Sequence, residues 1–340
     1  MTMKKQTIIS FGLLATLSLL SCSADETNIE DNIENYTHTQ LPISENSKQF
    51  GYYNALGYSY NVTEEYANAD ATGLKVIDTD KFKAEQPSRL DEGNILSQEY
   101  VEAYGKDAAA YSKVLSGKVV ATELFNIYGK TISSPFTSAL VNGKNFNSEY
   151  IYGSYNVIIK QKRYRFNATA DLLSNYITSN FSQDIQSKTP EQIVNDYGTH
   201  VTTDIYTGAK IDVIFQAKTT NPDRERAARL GVKTAANSLN IHDTDALEAS
   251  MNYDKKLYYR TRGGNTSEAM AGIFSFNQEK PKIDISRWQS TSTKENSVLV
   301  DFGSNGLVAI YDLVKDPIKK AALKIYVDEY LATNQVILAP

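Results

Sequence analysis

His200 ends the run Tyr197-Gly198-Thr199-His200, and an imidazole beside a hydroxyl suits a general base, a proton relay or a metal ligand. Each role needs partners, and the sequence offers few. The other histidines, His38 and His242, stand in unrelated contexts, and Cys22 is the sole cysteine, so neither an imidazole-rich nor a thiolate metal site is expected. Gly129-Lys130-Thr131 ends like a phosphate-binding loop, but the glycine required five residues earlier is Leu124. No Gly-x-Ser-x-Gly elbow is present. Two of the 40 acidic residues could meet in space as in a glycosidase, but no linear motif marks such a pair. The chain therefore reads as a non-enzyme without metal or cofactor, and His200 as a structural hydrogen-bonding residue.

Cys22 is the one residue with a chemistry of its own. Lys4 and Lys5 precede an apolar stretch, Ile8 to Leu20, that is too short to span a bilayer as a helix and matches a secretion signal. It ends Leu19-Leu20-Ser21-Cys22, which resembles a bacterial lipobox and makes Cys22 the lipid attachment residue after removal of residues 1–21. The alternative is an ordinary cleaved signal with an incidental cysteine. Ser23-Ala24-Asp25-Glu26 resembles a surface-export tag, so the expected location is the outer membrane, surface-exposed or released in vesicles. Residues 22–49, rich in Asn, Glu, Thr and Ser, read as an acidic flexible tether. Loss of Lys4 and Lys5 takes the net charge from −5 to −7, which argues against nucleic acid and against charge-driven adsorption to anionic lipid. The 23 tyrosines against 12 phenylalanines suit half-exposed sheet, and glycan-binding surfaces as well.

The elements that would position these residues follow from periodicity. Alternation over Gly57 to Thr63 and over Tyr150 to Arg165 predicts strands. Along Lys210 to Lys218, Ile211, Val213, Phe215 and Ala217 face one way, and Asp212, Ile214, Gln216 and Lys218 the other. Helices are expected over Tyr100 to Ser116, Asp171 to Gln186, a short turn capped by Thr189-Pro190, a stretch after Asn221-Pro222-Asp223, and Pro317 to Ala332. Ala228, Val232, Ala235 and Leu239 give the fourth of these a narrow small-residue face.

In order, Gly57-Tyr58-Ser59-Tyr60-Asn61 with Val76-Ile77-Asp78, Tyr197-Gly198-Thr199-His200, Gly208, Gly263-Gly264 and the block Trp288 to Leu313 resemble the membrane-attack-complex/perforin (MACPF) domain, and in particular the secreted antimicrobial MACPF lipoproteins of Bacteroidales. Val201 and Ala209 depart from it, standing where the family usually has an aromatic residue and a second glycine. The resemblance implies an α+β fold over residues 50–332, followed by a C-terminal tail, 333–340. That fold is a bent, twisted four-stranded antiparallel sheet flanked by two helical clusters, here placed at about 103–148 and 213–258, which convert to transmembrane hairpins. It further implies that Gly208, Gly263 and Gly264 sit at sheet bends rather than in ordinary turns. The implied partners are a target membrane, an unidentified surface receptor (protein or glycan), and further copies in a ring. Two functions fit: a pore-forming antimicrobial toxin, and a non-lytic surface lipoprotein for adhesion or glycan binding on the same scaffold.

Overall fold

A computed structural model describes residues 36–43, 48–119, 125–136, 145–239, 251–277, 281–304 and 306–339. Cys22, the signal sequence and His242 lie outside the described residues. The strands are β1 (Tyr36–Gln40), β2 (Tyr58–Tyr60), β3 (Thr72–Lys75), β4 (Leu90–Gly105), β5 (Asn145–Asn147), β6 (Tyr150–Phe166), β7 (His200–Thr202), β8 (Asp204–Thr219), β9 (Asn252–Arg262), β10 (Ala271–Phe276), β11 (Val298–Phe302), β12 (Leu307–Ala309) and β13 (Ile337–Ala339). The helices are α1 (Thr79–Glu85), α2 (Ala108–Ser116), α3 (Gly129–Phe136), α4 (Ala170–Leu173), α5 (Ser179–Ser187), α6 (Pro190–Tyr197) and α7 (Arg224–Ser238), then Ser286–Ser290 and the terminal helix Pro317–Thr333. Among the described residues no helix is long and apolar enough to cross a membrane.

Four long antiparallel strands, in the order β9-β8-β6-β4, form the sheet that the resemblance implies. Three short strands enlarge it to seven: β10 and β1 continue it beyond β9, and β11 pairs with the first part of β8. A second sheet, β12-β7-β2-β3, and a parallel pair, β13-β5, complete the ladders. The central strands β6 and β8 are rich in Val, Ile and Tyr, residues that fit a pleated surface buried on both sides.

Several expectations need correction. Tyr100 to Gly105 is strand, not helix. The helix begins only after Asp107, whose carboxylate accepts from Ala110 N, and Gly105 permits the tight turn because a Cβ there would fall 2.2 Å from Tyr111 N. The stretch Asp171 to Gln186 is not one helix. It breaks at Ile177, which bridges to Ile77, and restarts at Thr178, which caps α5. Helical cover occupies residues between β4 and β6 and between β8 and β9, so 213–219 and 252–258, counted above in the second cluster, already belong to strands. Within the segment read as tether, residues 36–40 form β1, held by pairing with β10 and by the His38 ring stacked 4.3 Å from Phe274. The C-terminal tail likewise holds β13, paired with β5. The Thr189-Pro190 turn matches its prediction: Thr189 and Gln192 form a reciprocal capping box at the start of α6.

Candidate functional site

Gly208, Gly263 and Gly264 are brought together at one point of the long sheet. At Gly208 the neighbour of β8 changes: Lys210 pairs with Arg262 of β9, whereas Gly208 pairs with Val298 of β11. On its other side the β6–β8 ladder slips one residue, with Gln161 bulged between Lys160 and Lys162. The crowding is severe: a Cβ on Gly208 would lie 1.8 Å from the carbonyl oxygen of Ile159. Gly263 and Gly264 both take positive φ, 71° and 76°, which favours glycine. A Cβ on Gly263 would lie 2.5 Å from the Gly208 carbonyl oxygen, with Ala209 close behind it. Trp288 closes the point from one face, fully buried, its Nε1 donating to the Gly263 carbonyl at 2.9 Å. Glycine thus occurs where two backbones meet without room for a side chain.

The Tyr197-Gly198-Thr199-His200 run lies elsewhere and has a different task. Gly198 ends α6 at φ 71°, and a Cβ there would meet the Tyr60–Asn61 backbone at 2.8 Å. Thr199 N donates to Tyr60 O, and Ile310 N donates to Thr199 O, at 3.1 and 3.0 Å. His200 opens β7, between β2 and β12. Its ring is 2% exposed, its Nδ1 lies 2.9 Å from Thr199 Oγ1, and burial pushes its pKa down to about 4. Tyr197 donates its hydroxyl to Asp184 at 2.9 Å. The run fastens the second sheet to the chain that enters β8.

The faces of the long sheet differ in kind. On one, Ile211, Val213, Phe215 and Ala217 meet Ala227, Ala228, Val232 and Ala235 of α7. The approach is close: a Cβ on Gly153 would lie 2.6 Å from Val232 Cγ2, and one on Gly231 2.2 Å from the Phe215 ring. The opposite face, towards α2 and α3, carries a buried ion network. Lys210 and Arg262 hold Asp212 at 2.8 and 3.0 Å. Arg260 pairs with Glu65, and Lys160 bridges Glu99 at 2.7 Å and Asp301 at 3.1 Å. Burial alone would raise the Asp212 pKa, but Arg262 and Lys210 hold it well below the usual carboxylate range. A cavity of about 330 Å³ lies here, between the sheet and α2.

The alternation along Lys210 to Lys218 signalled this division. Glu65, which pairs with Arg260, and Glu99 and Asp301, which pair with Lys160, carried no sequence signal, because they come from segments distant from their partners. Among the described residues no group of three His, Cys, Asp or Glu side chains is placed to hold a metal ion.

A long antiparallel sheet with helical cover on both faces, glycines at a change of partner, and a Gly-Thr-His run docking a second sheet define a perforin-like architecture. The MAC/Perforin domain family matches residues 111–337, and the chain belongs to that family. No curated protein sequence matches it. Among solved structures, a MAC/Perforin-domain protein of Bacteroides thetaiotaomicron, named for cell invasion, superposes with TM-score 0.64 at 16% identity, over 87% of this chain and 65% of its own. GNIP1Aa from Chromobacterium piscinae superposes with TM-score 0.62 at 15% identity, over 83% and 56%. The chain thus spans less than two thirds of either protein's length, and at these identities the likeness is one of fold.

Proposed function

We propose that this protein is a pore-forming MACPF effector, anchored through Cys22 at the bacterial surface or carried on vesicles, that assembles on a target membrane and inserts β-hairpins. One observation carries the reading. Each helical cluster is inserted between two strands that are already antiparallel neighbours, β4 with β6 and β8 with β9. Unwinding the helices therefore lengthens hairpins already in register, at the loss of the short β5–β13 pair in the first cluster. Residues 220–251 suffice for two crossings of ~9–11 residues each plus a turn. Closure of such hairpins from many copies into a barrel would satisfy every backbone group in lipid. The apolar and ionic faces of β8 supply the two environments a barrel wall needs. The targets we infer are related competing bacteria, reached through a surface receptor. Gly208, Gly263 and Gly264 act in this reading as the bend that straightens, and no residue acts as an enzyme.

Joining α7 to β6 tests the proposal. The pair Gly153→Cys and Val232→Cys places two thiols where a Cβ added at Gly153 would lie 2.6 Å from a Val232 methyl. Oxidised protein should release no dye from vesicles made of susceptible-cell lipid and kill no neighbouring strain, and reductant should restore both. Release that is indifferent to the crosslink, or absent from the native protein across a panel of neighbours, defeats the reading. Crosslinked protein that still binds cells, from a native chain that never lyses them, would favour the adhesive alternative, for which the tyrosine content speaks.

A further inference from the structure

One guanidinium ties the two helical covers of the long sheet to each other. Arg224 is the first residue of α7, where a cation stands against the positive end of the helix dipole. Its side chain answers to a different segment. Nε donates to the carbonyl of Lys106 at 3.1 Å, and Nη2 donates to the carbonyls of Ser148, Glu149 and Tyr150 at 2.9, 3.1 and 3.2 Å. Lys106 lies between the end of β4 and the start of α2, and residues 148–150 lead from β5 into β6. The acceptors thus stand at both ends of the first cover, and the donor at the start of the second. A planar fork with five N–H groups can span carbonyls from two segments, a reach that an ammonium lacks. The neighbouring contacts join other parts. Lys218 reaches Glu149 at 2.7 Å, but it belongs to β8 and the carboxylate is exposed. Val232 packs against the strand at Gly153.

We propose that Arg224 is a clasp that couples the release of the two covers. Either conversion breaks the same hydrogen bonds. Unwinding α7 carries Arg224 away from its acceptors. Extending the β4–β6 ladder beyond the Gly105–Tyr152 pair draws Lys106 and residues 148–149 into that ladder and turns their carbonyls from the guanidinium. Whichever cover opens first bears the loss, and the other then opens more readily by the same factor, because coupling between two sites is reciprocal. What the clasp does in assembly rests on the pore-forming reading: it keeps the hairpins of one copy from emerging singly. The coupling itself is a property of the chain in water.

Hydrogen exchange of the purified protein, read by mass spectrometry, tests the inference. Arg224→Met should raise exchange about fivefold in α2 as well as in α7, the scale of a lost hydrogen bond, and leave β6 and β8 unchanged. Val232→Ala loosens α7 but leaves the clasp, so it should raise exchange in α7 alone. Lys218→Ala should alter neither cover. Arg224→Lys keeps only part of the reach, should fall between native and Arg224→Met, and serves if the methionine variant does not fold. A rise confined to one cover in the Arg224 variants, an equal rise in the sheet, or a rise in α2 from Val232→Ala or Lys218→Ala overturns the proposal. No membrane enters the measurement, so a native chain that releases no dye from vesicles defeats the pore-forming reading alone.

Discussion

The two covers of the long sheet are held by different forces. Under α7 the contact is apolar and close, small side chains of Ala228, Val232 and Ala235 lying against Val213 and Phe215. Under α2 and α3 the sheet presents ions, and their partners lie on the sheet strands, on β11 and in the Glu65 segment rather than on the helices. α2 supplies Ala108, Tyr111 and Leu115, and α3 Ile132, to the apolar part of that interface. Removal of α2 would therefore strand no charge, whereas removal of α7 exposes an apolar stripe worth ~1.5–3 kcal/mol for each large aliphatic side chain. In the pore reading each cluster uncovers apolar surface as it leaves, so both move towards lipid or a neighbouring copy.

The largest predicted effect falls where both faces meet. Gly208→Ala sets a methyl 1.8 Å from a backbone oxygen, which no rotamer relieves, and should cost more than ~4 kcal/mol in urea unfolding or yield no folded protein. A mild effect would mean that the bend shifts freely. Asp212→Asn leaves Lys210 and Arg262 buried without their carboxylate and should cost ~3–5 kcal/mol by the same measurement. His200 adds a pH dependence. Its folded pKa, about 4, lies below the ordinary 6.5, so the unfolded chain takes up the proton first. The stabilisation is complete above pH 6.5 and declines towards pH 4, by roughly 3 kcal/mol in all. His200→Gln should flatten that slope, and an unchanged slope would assign it to other groups. Val232→Ala, on the α7 side, should cost ~2 kcal/mol and raise hydrogen exchange in α7 before α2. A loss matching that of Asp212→Asn would erase the contrast between the faces. Smallest is Lys130→Ala on α3, whose pair with Glu64 is exposed and should matter by less than ~0.5 kcal/mol.

Much of this was legible before any coordinates. The alternation from Ile211 to Ala217 announced a two-faced strand, and the small-residue face of α7 announced close packing. After Tyr100 the sequence and the structure differ, because spacing by threes and fours in a short tyrosine- and alanine-rich stretch imitates a helix. What settles it is pairing with β6, residue by residue from Tyr100–Val157 to Gly105–Tyr152. The edge strand β1 escaped notice for a related reason. Its Thr and Gln side chains are polar and exposed, His38 stacks on Phe274, and only β10 beside them makes them a strand.

The sequence by itself determined the family marks, the caps and the glycines, because each is a local demand: a positive φ, a missing Cβ, or a side chain that reaches its own backbone. It also determined that one face of β8 would be apolar and the other polar. The tertiary structure alone decided that three glycines and Trp288 converge on one point of the long sheet, and that Asp212 answers to Lys210 and Arg262. Those facts depend on pairings between residues far apart in the chain, and such pairings are set by packing, which no local pattern encodes.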